Sequence, residues 1–180
     1  MESTQLNATL QPQLVCEIKA LYEEAFPPEE RIGWDDLMML TKLMPISITA
    51  YHSNNLFIGF TIFNERDDFN WFWYFAVKKE LRGHGYGQKI LSQMIALHND
   101  KPMIIDAESP FQESNNSEQR QRRYNFYLRN GFIDTQVGRT FEGITYTILL
   151  NGNADFTIDD YNRILDDLRS HWMSMPQPEK

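Results

Sequence analysis

The chain has 180 residues, of which 42% are hydrophobic, and carries a formal net charge of -8 at pH 7. This length suits one domain with a sizeable core, and the acidic balance argues against a nucleic-acid or anionic membrane partner. There is no apolar run long enough to span a bilayer and no basic, apolar leader, so we expect a cytoplasmic protein without membrane contact.

Two helices are predicted near the N-terminus. Apolar residues recur at three- and four-residue steps from Leu10 to Ala25, which is typical of an amphipathic helix. The segment FPPEER ends this helix, because proline cannot continue it. A short second helix is expected from Trp34 to Leu43, closed by Pro45.

The hydrophobic period then changes to that of β-strands. Three segments rich in β-branched and aromatic residues follow each other, namely ISITAYH, NLFIGFTIF and FNWFWYFAV. They are separated by SNN and ERDD, which contain turn residues. We therefore expect three antiparallel strands joined by hairpins.

The second half of the chain alternates between helices and strands. We expect helices over Gly85–His98 and over about Glu118–Asn130, the latter ended by Gly131. PMIID predicts a strand between these helices, and FIDTQV and GITYTILL predict two strands after them. A last helix over about 157–172 has one apolar face, which fits either contact with the sheet or a dimer contact.

This order predicts an α+β fold of three layers, with helices around a mixed, mostly antiparallel sheet. No internal repeat or flexible linker divides the chain. We therefore expect one domain over 1–180, with a core of about 10–150, the extra C-terminal helix, and a flexible tail over 174–180.

Three glycines within five residues stand between the third strand and the next helix, in ELRGHGYGQKIL. Glycine raises the entropic cost of folding, so the backbone itself is a candidate functional surface here. Unpaired N–H groups at a helix N-terminus attract anions such as phosphate. The spacing lacks the third glycine of a dinucleotide fingerprint and the Gly-Lys-Ser/Thr of a Walker loop. An ordinary glycine-rich turn before a core helix is the alternative.

The segment FAVKKELRGHGYGQKIL resembles the acetyl-CoA pyrophosphate motif of the GNAT superfamily of N-acetyltransferases, and FYLRNGF resembles its second signature. With the order of elements, the resemblance covers about Leu10–Leu150. It implies the GNAT fold, whose sheet splays at its centre, and acetyl-CoA-dependent transfer to a primary amine of a small molecule by direct attack in a ternary complex. A protein or peptide acceptor, or a non-catalytic acyl-CoA-binding module, is the alternative. We expect a monomer or homodimer.

The resemblance also implies a set of acetyl-CoA contacts. Loop amides would bind the pyrophosphate, the preceding strand would line the pantetheine arm, and an arginine would reach the 3′-phosphate. The expected residues are Phe75, Ala76, Val77, Arg82, Gly83, His84, Gly85, Tyr86, Gly87, Gln88 and Arg129.

Tyr127 stands at the position of the superfamily tyrosine that protonates the departing thiolate, and an ordinary tyrosine pKa of about 10 suits that role. A plain core aromatic is the alternative. Where many members have a glutamate base, this sequence has Trp73. Glu108 is therefore the first candidate base and Asp106 the second, with the acids of the ERDD hairpin behind them.

A narrower resemblance, of FPPEER and of ESP with RRYNFY, links the chain to a bacterial GNAT group. In GNAT proteins the loop between the first two helices borders the acceptor site. The resemblance therefore implies acceptor contacts from Glu30, Arg31, Trp34 and Trp73. Burial of the tryptophans in the core is the alternative.

The single cysteine, Cys16, excludes an internal disulfide and fits a reducing compartment. It lies near Leu14 and Ile18, so we expect it to be buried, which argues against an acyl-cysteine route. The four histidines show no metal-ligand spacing, so we expect no metal site.

Overall fold

The structure is a computed structural model that describes residues 1–6 and 11–175. Its strands and α-helices in chain order are β1 Glu2–Gln5, α1 Pro12–Ala25, α2 Trp34–Leu43, β2 Ile46–Ser53, β3 Leu56–Asn64, β4 Asn70–Val77, α3 Tyr86–Leu97, β5 Met103–Glu108, α4 Ser117–Arg129, β6 Ile133–Phe141, β7 Ile144–Asn151 and α5 Ile158–Ser174. Short 3-10 turns occupy Pro28–Glu30 and Lys79–Leu81.

In the described part of the chain, seven strands form one sheet in the order β1-β2-β3-β4-β5-β7-β6. Only β4 and β5 run parallel, whereas the other neighbouring pairs are antiparallel. The predicted α+β class, with a mixed and mostly antiparallel sheet, is confirmed.

The sheet opens between β4 and β5. These strands pair only where they begin, at Asn70 with Met103 and at Trp71 with Ile104. Farther along, β4 stays paired with β3 and β5 with β7, so the two parallel strands diverge toward their carboxyl ends. The central splay that the resemblance implies is present, and it leaves strand backbone facing a gap.

A β-bulge lies in β4 beside this gap. Ile62 of β3 pairs with Tyr74, but the next residue, Phe63, pairs with Phe72, which leaves Trp73 as the extra residue. A bulge bends the strand and redirects a side chain. The indole of Trp73 accordingly stacks on the Tyr74 ring, with centroids 5.2 Å apart.

Helices cover both faces of the sheet. On one face, α1 and α2 pack on β2, β3 and β4, and α5 packs beside them. On the other face, α3 and α4 cover the sheet. The apolar side of α5 buries Tyr161 and Ile164 against the sheet, so of the two roles left open for this helix the structure shows contact with the sheet.

Helix α5 begins with the capping box formed by Thr157 and Asp160, in which each side chain bonds to the other residue's backbone N–H. Its end differs from the sequence prediction. Ser174 is still helical and Met175 is buried in the core, so the expected tail does not begin at 174. The remaining tail residues lie outside the described residues, as does Leu10.

Two further predictions were wrong. Strand β1 was not predicted, because ESTQ has no apolar alternation; it is an edge strand that pairs with β2 and is mostly exposed. Cys16 is exposed rather than buried, because it lies on the side of α1 opposite the core. The argument from burial against an acyl-cysteine route is therefore lost. Cys16 does not line the cleft described below, however.

Candidate active site

A cleft of about 1290 Å³ fills the gap between β4 and β5 and continues onto both faces of the sheet. One half is bordered by the end of β4, the loop before α3 and one side of α4. The other half is bordered by the loop after α1, by β5 to β7 and by α5. We call these the α3 half and the α5 half.

The glycine-rich loop borders the α3 half and leaves its backbone open. Gly83 and Gly85 have φ of +80° and +79°, and a Cβ added to either would meet no atom within 4 Å. Glycine is thus needed for the left-handed backbone rather than for space within the protein. Gly85 is the N-cap of α3 and no side chain caps this helix, so its first N–H groups have no capping acceptor.

Arg82 braces this loop, because its Nε donates to the carbonyl oxygen of Val77 over 3.0 Å. Nine of the predicted acetyl-CoA contacts line the cleft, namely Phe75, Ala76, Val77, Arg82, Gly83, Gly85, Gly87, Gln88 and Arg129. His84 and Tyr86 do not line it, and His84 is exposed with Nδ1 2.9 Å from the Arg82 carbonyl oxygen.

Tyr127 reaches the cleft from α4. It is only 4% exposed and lies between the rings of Phe126 and Phe132, at centroid distances of 5.3 and 5.6 Å. Burial raises the pKa of its phenol to about 12. Its hydroxyl has no hydrogen-bond partner among the described residues. The phenol therefore keeps its proton and has no competing acceptor.

Glu108 is the last residue of β5 and is 3% exposed. Its Oε1 accepts from Arg120 over 2.6 Å and from Asn116 over 3.3 Å, and its Oε2 accepts from Arg123 over 2.8 Å. Because both oxygens are held by guanidinium groups, this geometry disfavours the predicted role of Glu108 as a general base. It fits instead a role in holding α4 against β5.

Both carboxylate oxygens of Asp106 also accept hydrogen bonds. Its Oδ1 accepts from Trp71 Nε1 over 2.9 Å and its Oδ2 from the Tyr161 hydroxyl over 3.0 Å. Burial raises the pKa of this carboxyl, and the two hydrogen bonds oppose that rise. Asp106 therefore links β4, β5 and α5 at the floor of the cleft.

Glu30 lines the cleft from the turn after α1. The turn is anchored to the sheet, because the Tyr74 hydroxyl donates to the Glu30 carbonyl oxygen over 3.4 Å and accepts from Ile32 N over 3.3 Å. Burial, and then the charge of Glu108, raise the pKa of the Glu30 carboxyl. Among the described residues, that carboxyl has neither a hydrogen bond nor an ion pair.

Of the other predicted acceptor contacts, two line the cleft and one does not. Arg31 and Trp73 line the cleft, and Arg31 also donates to the Phe26 carbonyl oxygen over 2.8 Å. Trp34 does not line it: its ring is buried 5.8 Å from that of Tyr22 in the core beneath α1 and α2. The acids of the ERDD hairpin also lie away from the cleft, where Arg66 bonds to Asp68.

Several cleft residues were missed by the sequence reasoning. Arg123 carried a usable signal, since its spacing of four residues from Tyr127 places both on one side of α4. Other missed cleft residues belong to β6, β7 and α5, and include Arg139, Tyr146, Tyr161, Leu165, Leu168 and Trp172. The apolar stripe of α5 was recognised, but nothing local shows that it borders a cleft.

Comparison with known proteins identifies the family. The family model described as an acetyltransferase (GNAT) domain matches residues 46–134, from β2 to the start of β6. A solved structure from Bacteroides thetaiotaomicron, assigned to the GNAT family of acetyltransferases, superposes with a TM-score of 0.76 and 26% identity over 94% of this chain and 97% of that chain. The chain belongs to the GNAT acetyltransferase superfamily. It is accordingly an acyltransferase, which speaks against the non-catalytic alternative.

More distant structures share the GNAT fold. An aminoglycoside 6'-N-acetyltransferase complexed with coenzyme A has a TM-score of 0.64 and 12% identity over 86% of this chain and all (100%) of that one. Ard1 from Thermoplasma volcanium has a TM-score of 0.63 and 13% identity over 83% and 95% of the two chains. A sequence comparison with curated proteins gave no significant match.

Two searches of the described residues bear on other predictions. No helix among them has the length and hydrophobicity to cross a bilayer. Likewise, no three His, Cys, Asp or Glu side chains within 1–6 and 11–175 form a group that could hold a metal ion.

Proposed function

We propose that this GNAT protein is an acetyl-CoA-dependent N-acetyltransferase that acetylates a primary amine of a small molecule by direct attack in a ternary complex. The observation that carries the proposal is the uncapped N-terminus of α3, which opens beside the gap between β4 and β5. A diphosphate fits the N-terminus of α3, and a narrow thioester arm fits the gap between the two strands.

The residues present fit acetyl-CoA. The amides at the start of α3 and the Arg82 side chain would hold the pyrophosphate, Arg129 would reach the outlying phosphate, and the edge of β4 over Phe75–Val77 would line the pantetheine arm. The bound molecule supplies an acetyl group activated as a thioester. The chain itself has to position that group, exclude water and move two protons.

Tyr127 is the proposed acid. Its hydroxyl keeps its proton, because burial raises its pKa to about 12, and donates it to the sulfur as the C–S bond breaks. The same low polarity that holds the proton on Tyr127 also destabilises an unprotonated thiolate beside it.

Glu30 is the proposed base. An amine must lose a proton as its nitrogen forms the new C–N bond. Glu108 and Asp106 both hold their oxygens in hydrogen bonds, whereas the Glu30 carboxyl faces the cleft without a partner among the described residues. We therefore assign the amine proton to Glu30 rather than to Glu108.

The α5 half supports a small acceptor. Leu165, Leu168 and Trp172 of α5 form a wall on this side, and Trp73 and Glu30 line the same cleft. A walled, largely apolar cavity with a few polar groups is typical of small-molecule sites.

Calorimetry with acetyl-CoA, followed by thiol release across a panel of amines, tests the proposal. Gly85→Ala should weaken acetyl-CoA binding by about tenfold or more, because the added Cβ projects into the space where the phosphate would lie. Gly143→Ala is the matched control, since Gly143 has a φ of +81° and its Cβ likewise meets nothing within 4 Å.

Binding of acetyl-CoA that is weakened by Gly85→Ala but not by Gly143→Ala, with thiol release that depends on an added amine, supports the proposal. Absence of acetyl-CoA binding by the unaltered protein would overturn it. Equal loss of binding in both glycine variants would show that backbone strain, not the α3 N-terminus, is responsible.

A further inference from the structure

The geometry points to an acceptor that carries a carboxylate as well as its amine, with Arg139 as the residue that binds the carboxylate. This inference rests on the proposed function and specifies its substrate class: an amino-carboxylic acid with an apolar body. Three features of the α5 half carry it, namely the position of Arg139, its lack of an acidic partner, and its surroundings.

Arg139 lies in a row of side chains across the sheet. Tyr146 of β7 pairs with Glu108 of β5 on one side and with Arg139 of β6 on the other. Residues paired directly across antiparallel strands have side chains on the same face. Glu108, Tyr146 and Arg139 therefore lie side by side, and all three line the cleft.

The guanidinium of Arg139 lies beside two aromatic rings. Its central carbon lies 5.0 Å from the ring centroid of Phe141 and 6.0 Å from that of Tyr161. Among the described residues it has no carboxylate within ion-pair distance and no hydrogen-bond acceptor. Asp106 and Arg139 interact electrostatically without forming an ion pair, and the Asp106 oxygens accept hydrogen bonds from Trp71 and Tyr161.

Three other arginines that line the cleft have partners. Arg123 bonds to Glu108 over 2.8 Å, Arg169 bonds to Asp166 over 3.0 Å, and Arg31 donates to a backbone carbonyl. A partly buried guanidinium without a partner is costly unless an anion completes it, and its planar donors suit a bidentate carboxylate.

Other residues that line the cleft indicate the amine end and the apolar body of the acceptor. Glu30 supplies the negative charge for the amine end, whereas Trp73, Leu165 and Leu168 supply apolar lining of the same cleft. A ligand with an ammonium, a carboxylate and an apolar body satisfies all three. Amines without a carboxylate leave Arg139 uncompensated.

Comparing each amino acid with its decarboxylated amine separates the contribution of the carboxylate from that of the amine and the apolar body. Thiol release from acetyl-CoA is measured with L-tryptophan and tryptamine, L-phenylalanine and phenethylamine, and 6-aminohexanoate and pentylamine, with L-tryptophanamide as an analogue whose carboxylate is replaced by an uncharged amide. For at least one pair, kcat/KM should be about tenfold or more higher for the acid, as expected for a charge-assisted contact.

Arg139→Gln should bring the ratio of kcat/KM between acid and decarboxylated amine toward one, and Arg139→Lys should retain part of the preference. Arg163→Gln is the control, because it removes the same charge from α5 at a residue that does not line the cleft, where Arg163 pairs with Asp160. This ratio is insensitive to a general loss of stability, since both acceptors are assayed with the same variant.

The inference is overturned if the acids are no better than their decarboxylated partners while thiol is released, if only a peptide N-terminus is acetylated, or if Arg139→Gln leaves the ratio unchanged. Failure of the proposed function is distinct: the unaltered protein would then fail to bind acetyl-CoA, or would release no thiol with any amine.

Discussion

Tyr161 of α5 donates its phenolic hydrogen to Oδ2 of Asp106 over 3.0 Å, which joins the C-terminal helix to the floor of the cleft. The other Asp106 oxygen accepts from Trp71 of β4. One carboxylate therefore connects three elements that are far apart in sequence. The helix that lies beyond the two sequence signatures is thus part of the site.

Tyr161→Phe should lower the free energy of unfolding by about 1–3 kcal/mol, because it removes a donor from a half-buried carboxylate oxygen of Asp106. Chemical denaturation measures this. Tyr86→Phe is the control, because the Tyr86 hydroxyl makes no hydrogen bond to any residue that the structure describes, and it should have a much smaller effect. Equal stability of the two variants would contradict a structural role for the Tyr161–Asp106 bond.

Tyr127→Phe should lower kcat about a hundredfold or more and leave the acetyl-CoA dissociation constant nearly unchanged, since a general acid contributes on this scale. The phenol makes no hydrogen bond among the described residues, so the fold should not depend on it. Steady-state kinetics and calorimetry on the same preparation provide the two readouts. Full activity of the variant would remove Tyr127 from the mechanism.

Stability should fall as pH rises from 10 to 12. Burial raises the pKa of Tyr127 from 10.0 to about 12, so in this window the unfolded chain has lost the proton that the native state retains. Tyr127→Phe should reduce the slope of unfolding free energy against pH by up to about 1.4 kcal/mol per pH unit. Tyr22→Phe should act similarly, because burial also raises its pKa to about 12.

Glu108→Gln should destabilise the fold by about 3–5 kcal/mol, because it leaves Arg120 buried with an uncompensated charge. Glu118→Gln is the matched control, since its pair with Arg122 on the same helix is exposed. Thermal or chemical unfolding compares the two. A Glu108→Gln protein of unchanged stability that had lost activity would instead restore Glu108 as the base.

Glu30→Gln should reduce kcat by about a hundredfold or more near neutral pH. Because burial and Glu108 raise the Glu30 pKa, the unaltered enzyme should lose kcat as pH falls through a value above that of a free glutamate. Glu24→Gln, an exposed change on α1 outside the cleft, serves as the control. A pH profile that Glu30→Gln does not alter would exclude this residue as the proton acceptor.

Local patterns in the sequence predicted most elements because each pattern depends on neighbouring residues. The hydrophobic period placed α2 at Trp34–Leu43 and the three central strands within a residue or two of their observed ends. Strand β1 was missed because its residues gain their strand conformation from pairing with β2 and not from burial of their own. Cys16 was misplaced because its apolar neighbours in sequence lie on a different side of α1.

The sequence alone indicated the GNAT family and the loop at Arg82–Gln88. A glycine-dependent backbone and the start of a helix depend on consecutive residues, so both can be recognised locally. Only the tertiary structure decided the chemistry around that loop. It placed Trp34 in the core, paired Glu108 with Arg120 and Arg123, and left the Glu30 carboxyl and the Arg139 guanidinium without an ion pair among the described residues. Whether a charged side chain has an ion-pair partner depends on which side chains, distant in sequence, fold beside it. The local sequence does not indicate this.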